Sequence, residues 1–130
     1  MSIQETLTKH LIGRRITTVD GGTLTLDDGT TLRLYESTYA CCAGASGEWK
    51  ILDPDRLEAA ITHVEFESDG YKDFYTRVTT CRITILHKQN PIALGDGHAH
   101  SGNDGSYFSA LSLEITVDGT IVHDEEVISA

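Results

Sequence analysis

The adjacent cysteines Cys41 and Cys42 are the most unusual residues of the chain whose side chains could do chemistry. A nucleophilic cysteine needs a lowered pKa, a base beside it and a group that orients the base. His98 or His100 together with an aspartate could supply those groups, and mixed Cys and His ligation of zinc is conceivable. The sequence does not bring the two segments together, and it lacks both the Cys-x-x-Cys spacing and the known nucleophile signatures. The pair is therefore a candidate binding site without an assigned reaction.

A second candidate site lies in the glycine-rich segment 95–105. If this segment is extended, Asp96, His98 and His100 point to the same side, because strand side chains alternate with a period of two. Imidazole and carboxylate groups suit zinc or another divalent metal, and Asp104 would then be a further ligand. The stretch resembles the His-x-His followed by an acid of cupin jelly rolls, with Asp in the place of their Glu. The competing interpretation, favoured by four glycines, is a solvated connection that binds no cofactor.

Trp49, the only tryptophan, is the third candidate binding residue, with stacking on a ligand as its possible role. Small residues dominate the segment before it, where alanines flank the two cysteines. We therefore expect at least one of Cys41 and Cys42 to plug the core under Trp49. Burial would raise the pKa of such a thiol and make it inert.

The acidic composition excludes several classes of function. With 20 acidic and 10 basic residues the net charge is −10, which opposes binding to phosphate backbones, so we expect no nucleic-acid partner. No apolar run approaches the roughly 20 residues that cross a bilayer, so we expect no membrane partner. The N-terminus lacks the features of a secretory signal, which favours a cytoplasmic location. Three cysteines, two of them adjacent, do not suit a disulfide framework.

Two helical segments frame the strands that must position these residues. Ser2 and Glu5 form a capping-box pattern before a stripe of apolar residues, which predicts an N-terminal helix. Asp53 followed by Pro54 predicts a short helix near residues 54–61. Between and after them the apolar period is two, and Asp-Gly turns recur, which is typical of antiparallel strands. In the long strand predicted from Phe74 to His87 the alternation slips, which predicts a bulge near Thr79.

These elements predict a mainly β protein with α+β character only at its margins. We expect residues 1–130 to form one domain, a single antiparallel β-sandwich or bent barrel of about eight strands. The strand predicted at 107–117 alternates most regularly of all. Turns are predicted at 68–73 and in the glycine-rich segment.

The segment that runs from the first β-hairpin through Tyr35 and Glu36 to the Cys41-Cys42 pair resembles a family of small uncharacterised proteins. These proteins occur in tailed bacteriophages and bacteria and carry a double-Cys loop after an early hairpin. Their usual acidic residue after the pair is replaced here by Ala43. The resemblance implies a domain of unknown function in a phage accessory protein, and it implies no activity.

The leading hypothesis is a non-enzymatic accessory protein of phage or prophage origin that binds a host or phage protein. It rests on an acidic domain without a recognisable catalytic signature. The alternative is a metal-binding domain or small metalloenzyme that uses His98 and His100. Thiol chemistry at the cysteine pair is a third hypothesis. The oligomeric state and the partner stay open at this stage.

Overall fold

The structure is a computed structural model that describes residues 2–73, 75–102 and 107–130. One helix, one 3-10 turn and nine strands occur within these residues. Their bounds are α1 Ile3–Leu11, β1 Ile16–Asp20, β2 Thr23–Leu26, β3 Thr31–Tyr39, β4 Gly44–Ile51, the 3-10 turn Pro54–Arg56, β5 His63–Asp73, β6 Thr76–His87, β7 Asn90–His100, β8 Ser109–Val117 and β9 Thr120–Ser129.

The strands form two antiparallel sheets that face each other across the apolar core. One sheet has the order β1-β2-β3-β8-β9 and the other has the order β4-β7-β6-β5. The prediction of a mainly β sandwich is confirmed, and the two sheets do not close into a barrel. No helix of the described residues is long and apolar enough to cross a membrane.

Helix α1 forms as predicted and covers an edge of the four-stranded sheet. The Ser2 hydroxyl accepts a hydrogen bond from the Glu5 amide at 3.2 Å, which caps the first turn. Leu7 and Leu11 are fully buried, so the apolar stripe faces the core. The helix packs on β5, which is an edge strand and would otherwise expose unpaired backbone groups.

Glycines on β7 leave little space between the two sheets. A Cβ atom on Gly97 would lie 2.5 Å from the Cys81 sulfur and 2.6 Å from the side chain of Leu111 on the opposite sheet. A Cβ atom on Gly95 would lie 2.7 Å from the Trp49 ring. Glycine therefore serves here as the complement of larger neighbours across a closely packed interior.

Three local predictions differ from the structure. Segment 68–73 is not a turn but the second half of β5, and Gly70 pairs with Thr79. No bulge occurs near Thr79, because β5 and β6 pair in continuous register. Val78, although buried, takes the same face as Arg82, whereas Cys81 and Ile83 take the face of the core. The helix predicted near 54–61 is a single 3-10 turn over residues 54–56, and the Asp53 side chain makes no capping hydrogen bond. The start of the strand predicted at Phe74 lies outside the described residues.

Candidate functional site

The outward face of the four-stranded sheet carries a dense array of polar side chains. The glycine-rich stretch that ends at His100 is the second half of β7, between β4 and β6, and not a loop. Its glycines point inward, so its polar residues point outward because strand side chains alternate. The strand register that places the glycines of β7 in the core therefore also places its polar side chains on the surface.

Cross-strand pairing places these side chains in two adjacent rows. In the first row Asp96 pairs with Glu48 of β4 on one side and with Arg82 of β6 on the other, and Arg82 pairs in turn with Glu67 of β5. Directly paired residues have Cβ atoms about 4.5–5.5 Å apart. Four charged side chains therefore line up across the full width of the sheet.

The second row lies two residues further along the strands. His98 pairs with Ser46 of β4 and with Thr80 of β6, and Thr80 pairs with Asp69 of β5. This row brings one more carboxylate and an imidazole beside the first row. Both rows rest on strands that are hydrogen-bonded over their whole length, so their positions are fixed by the sheet.

Two open depressions of about 450 Å³ and 460 Å³ lie on this face and share Thr80 and Asp96 in their linings. We name the two together the acidic groove. Its lining residues come from all four strands. They are Ser46, Gly47, Glu48, Glu67, Ser68, Asp69, Thr80, Cys81, Arg82, Asp96, Gly97 and His98.

The acidic groove contains four carboxylates and one guanidinium. The carboxylates of Glu67 and Asp69 come from β5, and those of Glu48 and Asp96 come from the far side of Arg82. Lys50, just beyond the lining, lies 3.3 Å from the Glu48 carboxylate and offsets part of its charge. The surface is therefore negative and suits a cationic ligand. The sequence does not reveal the role of Glu67 in this groove, because the period-two pattern shows the face of a residue but not its neighbours across the sheet.

The proposed metal ligands on β7 share one face, as predicted. The rings of His98 and His100 lie 5.8 Å apart between centroids, and Asp96 lies outward beside His98. The Nδ1 atom of His100 accepts a hydrogen bond from the Gly102 amide at 3.2 Å, which leaves Nε2 as its free nitrogen. Within residues 2–73, 75–102 and 107–130 no group of three or more His, Cys, Asp or Glu residues could hold a metal ion. Asp104, the fourth ligand in that prediction, lies outside the described residues.

The cysteine pair forms the tip of a tight turn between β3 and β4. The Ala43 amide donates to the Ala40 carbonyl at 3.0 Å, which places Cys41 and Cys42 at the two central positions of a β-turn. Both cysteines are exposed, and their sulfur atoms lie 3.1 Å apart. The prediction that one of them plugs the core is therefore wrong. Ala43 is the buried residue of this turn.

Trp49 is buried, but it does not cover the cysteine turn in the predicted way. It lies well inside β4 and faces the sandwich interior, where its ring stacks on the backbone of Gly95. Its indole Nε1 is the one buried side-chain nitrogen or oxygen without a hydrogen-bond partner in the described part of the chain. A ring held between the sheets is not presented to a ligand on the surface.

The hydrogen bond with the neighbouring thiol of Cys42 raises the pKa of Cys41, because it stabilises the protonated form. This arrangement opposes the lowered pKa that a nucleophilic cysteine needs. Burial raises the pKa of Cys81 to about 11, and the charge of Asp96 adds to that effect, so Cys81 is an inert residue of the core.

The cysteine turn and the histidine strand meet at the same end of the sandwich. Gly44, two residues after Cys42, pairs with His100. A Cβ atom on Gly44 would lie 3.2 Å from the His100 Nε2 atom, so glycine leaves space for the imidazole. The Glu36 carboxylate accepts a hydrogen bond from the Ala45 amide at 2.7 Å and holds the start of β4.

Comparison with known proteins gives one match. No curated protein and no solved structure shows a significant similarity to the chain. The sequence profile of a family described as Domain of unknown function (DUF7448) matches residues 9–113. That match runs from the end of α1 to the middle of β8 and includes both the cysteine turn and the acidic groove. The protein therefore belongs to the DUF7448 family, an uncharacterised domain family.

Proposed function

We propose that this protein is a non-enzymatic accessory module of phage or prophage origin that binds a host or phage protein through a basic segment. The observation that carries the binding role is the acidic groove, where the four carboxylates of Glu48, Glu67, Asp69 and Asp96 lie on one sheet face with a single Arg82. The phage or prophage origin draws its support only from the resemblance of the segment around the cysteine pair.

Electrostatics favour a basic segment over other protein ligands. The net charge of −10 attracts a cationic partner from a distance, and the groove concentrates carboxylates at one place on that surface. Each exposed ion pair contributes only about 0.2–1 kcal/mol, so affinity must come from several pairs formed together. A segment with several Lys or Arg residues, laid across the four strands, satisfies that condition.

Preorganisation also supports binding. The carboxylates of Asp96 and Glu67 stand on strands whose register is continuous through the groove, so the backbone does not need to order itself when the partner arrives. Ordering of the partner segment is then the main entropic cost of binding.

The test uses a fluorescently labelled Lys-rich peptide, with binding followed by anisotropy at low salt. Replacing both Asp96 and Glu67 by their amides (Asp96→Asn with Glu67→Gln) removes two ion pairs and should lower the affinity roughly 5- to 20-fold. The matched control is Asp55→Asn with Glu58→Gln, which removes the same charge from exposed positions near the 3-10 turn. The control should change the affinity less than twofold.

Two results would contradict the proposal. If the control variant weakens binding as much as the groove variant, the peptide responds to net charge and not to the groove. If the wild-type protein does not bind the peptide at low salt, the groove does not recognise basic segments. A host or phage protein that is captured by the wild type and by the control, and lost with the groove variant, would identify the natural partner.

The metal-binding alternative has one observation in its favour, the shared outward face of His98 and His100. We propose it as the second candidate, with zinc or another divalent ion as the ligand. Elemental analysis of protein purified without a histidine tag, together with a thermal shift on addition of zinc, tests it. Close to one equivalent of metal, lost in His98→Ala, would support this function. Metal well below one equivalent with no thermal shift would exclude it.

A further inference from the structure

The exposed cysteine turn presents two thiols in a geometry that the proposed protein-binding function does not use. Cys41 and Cys42 are both exposed, whereas Cys81, the third cysteine, is buried. The Ala40 amide donates to the Phe108 carbonyl at 2.8 Å, and the Ala43 amide closes the turn onto Ala40. The backbone of the turn is therefore held on both sides while its two side chains point into solvent.

The underside of the turn is also packed. A Cβ atom on Gly102 would lie 3.1 Å from the Cys42 carbonyl oxygen and 2.7 Å from the Tyr107 ring, so Gly102 lies directly against the turn. Contact of this kind supports the backbone of the turn, from which both thiols project.

The sulfur–sulfur distance selects among the ions that bind thiolates. At the roughly 2.3 Å bond length of thiolate–metal sites, two sulfurs 3.1 Å apart subtend an angle of about 85° at the ion. A tetrahedral ion such as zinc would need the sulfurs about 3.8 Å apart, and a linear two-coordinate ion about 4.6 Å. An angle near 90° is the preference of pyramidal trivalent ions of arsenic and antimony, which bond through orthogonal p orbitals.

We propose that Cys41 and Cys42 form a bidentate site for a trivalent arsenic or antimony species that carries two exchangeable oxygen ligands. In the binding step two sulfur–arsenic bonds form and two arsenic–oxygen bonds break. The two thiol protons leave with the released hydroxides as two molecules of water. The ion stays trivalent, so no oxidant or reductant takes part.

Binding in this way does not need an activated nucleophile. The thiol that attacks first is held beside its neighbour, so the second bond closes a ring without further ordering of the chain, which is a chelate effect. Other thiol chemistry, such as attack on a substrate carbon, would need a thiol with a lowered pKa, whereas the hydrogen bond with Cys42 raises the pKa of Cys41.

The experiment uses the full chain, first reduced with a phosphine and shown by thiol titration of an unfolded sample to hold three free cysteines. Phenylarsine oxide, which takes two thiols, is the probe. Mass spectrometry should show one arsenical per chain with two thiols lost, for the wild type and for the control Cys81→Ala. In Cys41→Ser and in Cys42→Ser the affinity should fall roughly a hundred-fold or more, since only one bond can form. Antimony(III) should compete for the same site, and zinc should not.

Three outcomes would overturn the proposal. Equal affinity of the single-serine variants and the wild type would show that the two thiols do not act together. No adduct on the fully reduced wild type would show that the turn cannot accept the ion. Competition by zinc at a concentration similar to that of the arsenical would contradict the angle argument. Because both cysteines are exposed, the serine variants should fold, and unchanged melting curves would verify this.

Discussion

Glycines on β7 decide how closely the two sheets can pack. Gly97 faces inward, and the Cys81 sulfur and the Leu111 side chain occupy the space that a larger residue would need. Cys81 therefore fits beside Gly97 because of its size and not because of its thiol chemistry. Small and large residues from adjacent strands and opposite sheets thus fill the interior together, and single atoms decide the fit.

We predict that Gly97→Ala destabilises the protein by about 1–3 kcal/mol, because its Cβ would overlap two buried atoms at 2.5 and 2.6 Å. Chemical denaturation gives the free energy of unfolding. The matched control is Gly70→Ala on β5, where the nearest atom to a Cβ lies at 3.5 Å, so the change should be close to neutral. Adding Cys81→Ala should recover part of the loss. Additive effects of the two substitutions would contradict the proposed overlap.

The indole of Trp49 combines a large buried area with an unpaired donor. We predict that Trp49→Ala costs about 3–5 kcal/mol, since it leaves a cavity beside Gly95. Trp49→Phe should cost less than about 1.5 kcal/mol, because losing the unpartnered Nε1 group offsets part of the lost packing. Thermal and denaturant unfolding of both variants measure this. If Trp49→Phe were as unstable as Trp49→Ala, the unpaired Nε1 group would not destabilise the wild-type protein.

At the scale of elements, a side chain of α1 closes the open edge of β5. The Gln4 carboxamide accepts a hydrogen bond from the Phe66 amide at 2.9 Å and donates another to the Val64 carbonyl. It thus pairs with β5 as one residue of a neighbouring strand would. This explains how the four-stranded sheet ends at β5 without leaving these groups unpaired.

We predict that Gln4→Ala destabilises the protein by about 1–2 kcal/mol, because it leaves two partly buried backbone groups without partners. Hydrogen exchange should show faster exchange of the Phe66 amide. Gln89→Ala, at an exposed turn between β6 and β7, is the control and should change neither quantity. Unchanged protection of Phe66 in the Gln4 variant would mean that the carboxamide does not cover the strand edge.

At the scale of the whole molecule, the net charge of −10 lowers the stability of the folded state. Like charges on a folded surface repel each other, and salt screens that repulsion. We predict that raising NaCl from about 10 mM to about 0.5 M increases the melting temperature by a few degrees. The charge-reduced variant Asp55→Asn with Glu58→Gln should respond less. A melting temperature that falls or stays constant over this range would contradict the prediction.

The sequence by itself determined α1 and most of the strands, since these depend on neighbours along the chain. Ser2 and Glu5 predicted the start of α1, and alternating apolar residues with Asp-Gly turns predicted antiparallel strands and the sandwich class. The common face of His98 and His100 also followed from the period of a strand. Each of these depends on the geometry of one segment.

The tertiary structure alone decided which segments meet. Glycines around His98 suggested a loop, but β4 and β6 supply backbone partners on both sides, and hydrogen bonding outweighs the low strand propensity of glycine. The sequence did not predict that the Cys41-Cys42 turn is exposed. Ala43 takes the inward position there, and which residue does so depends on the register of β4. The acidic groove needs cross-strand register between residues far apart in sequence, and no local pattern contains that information.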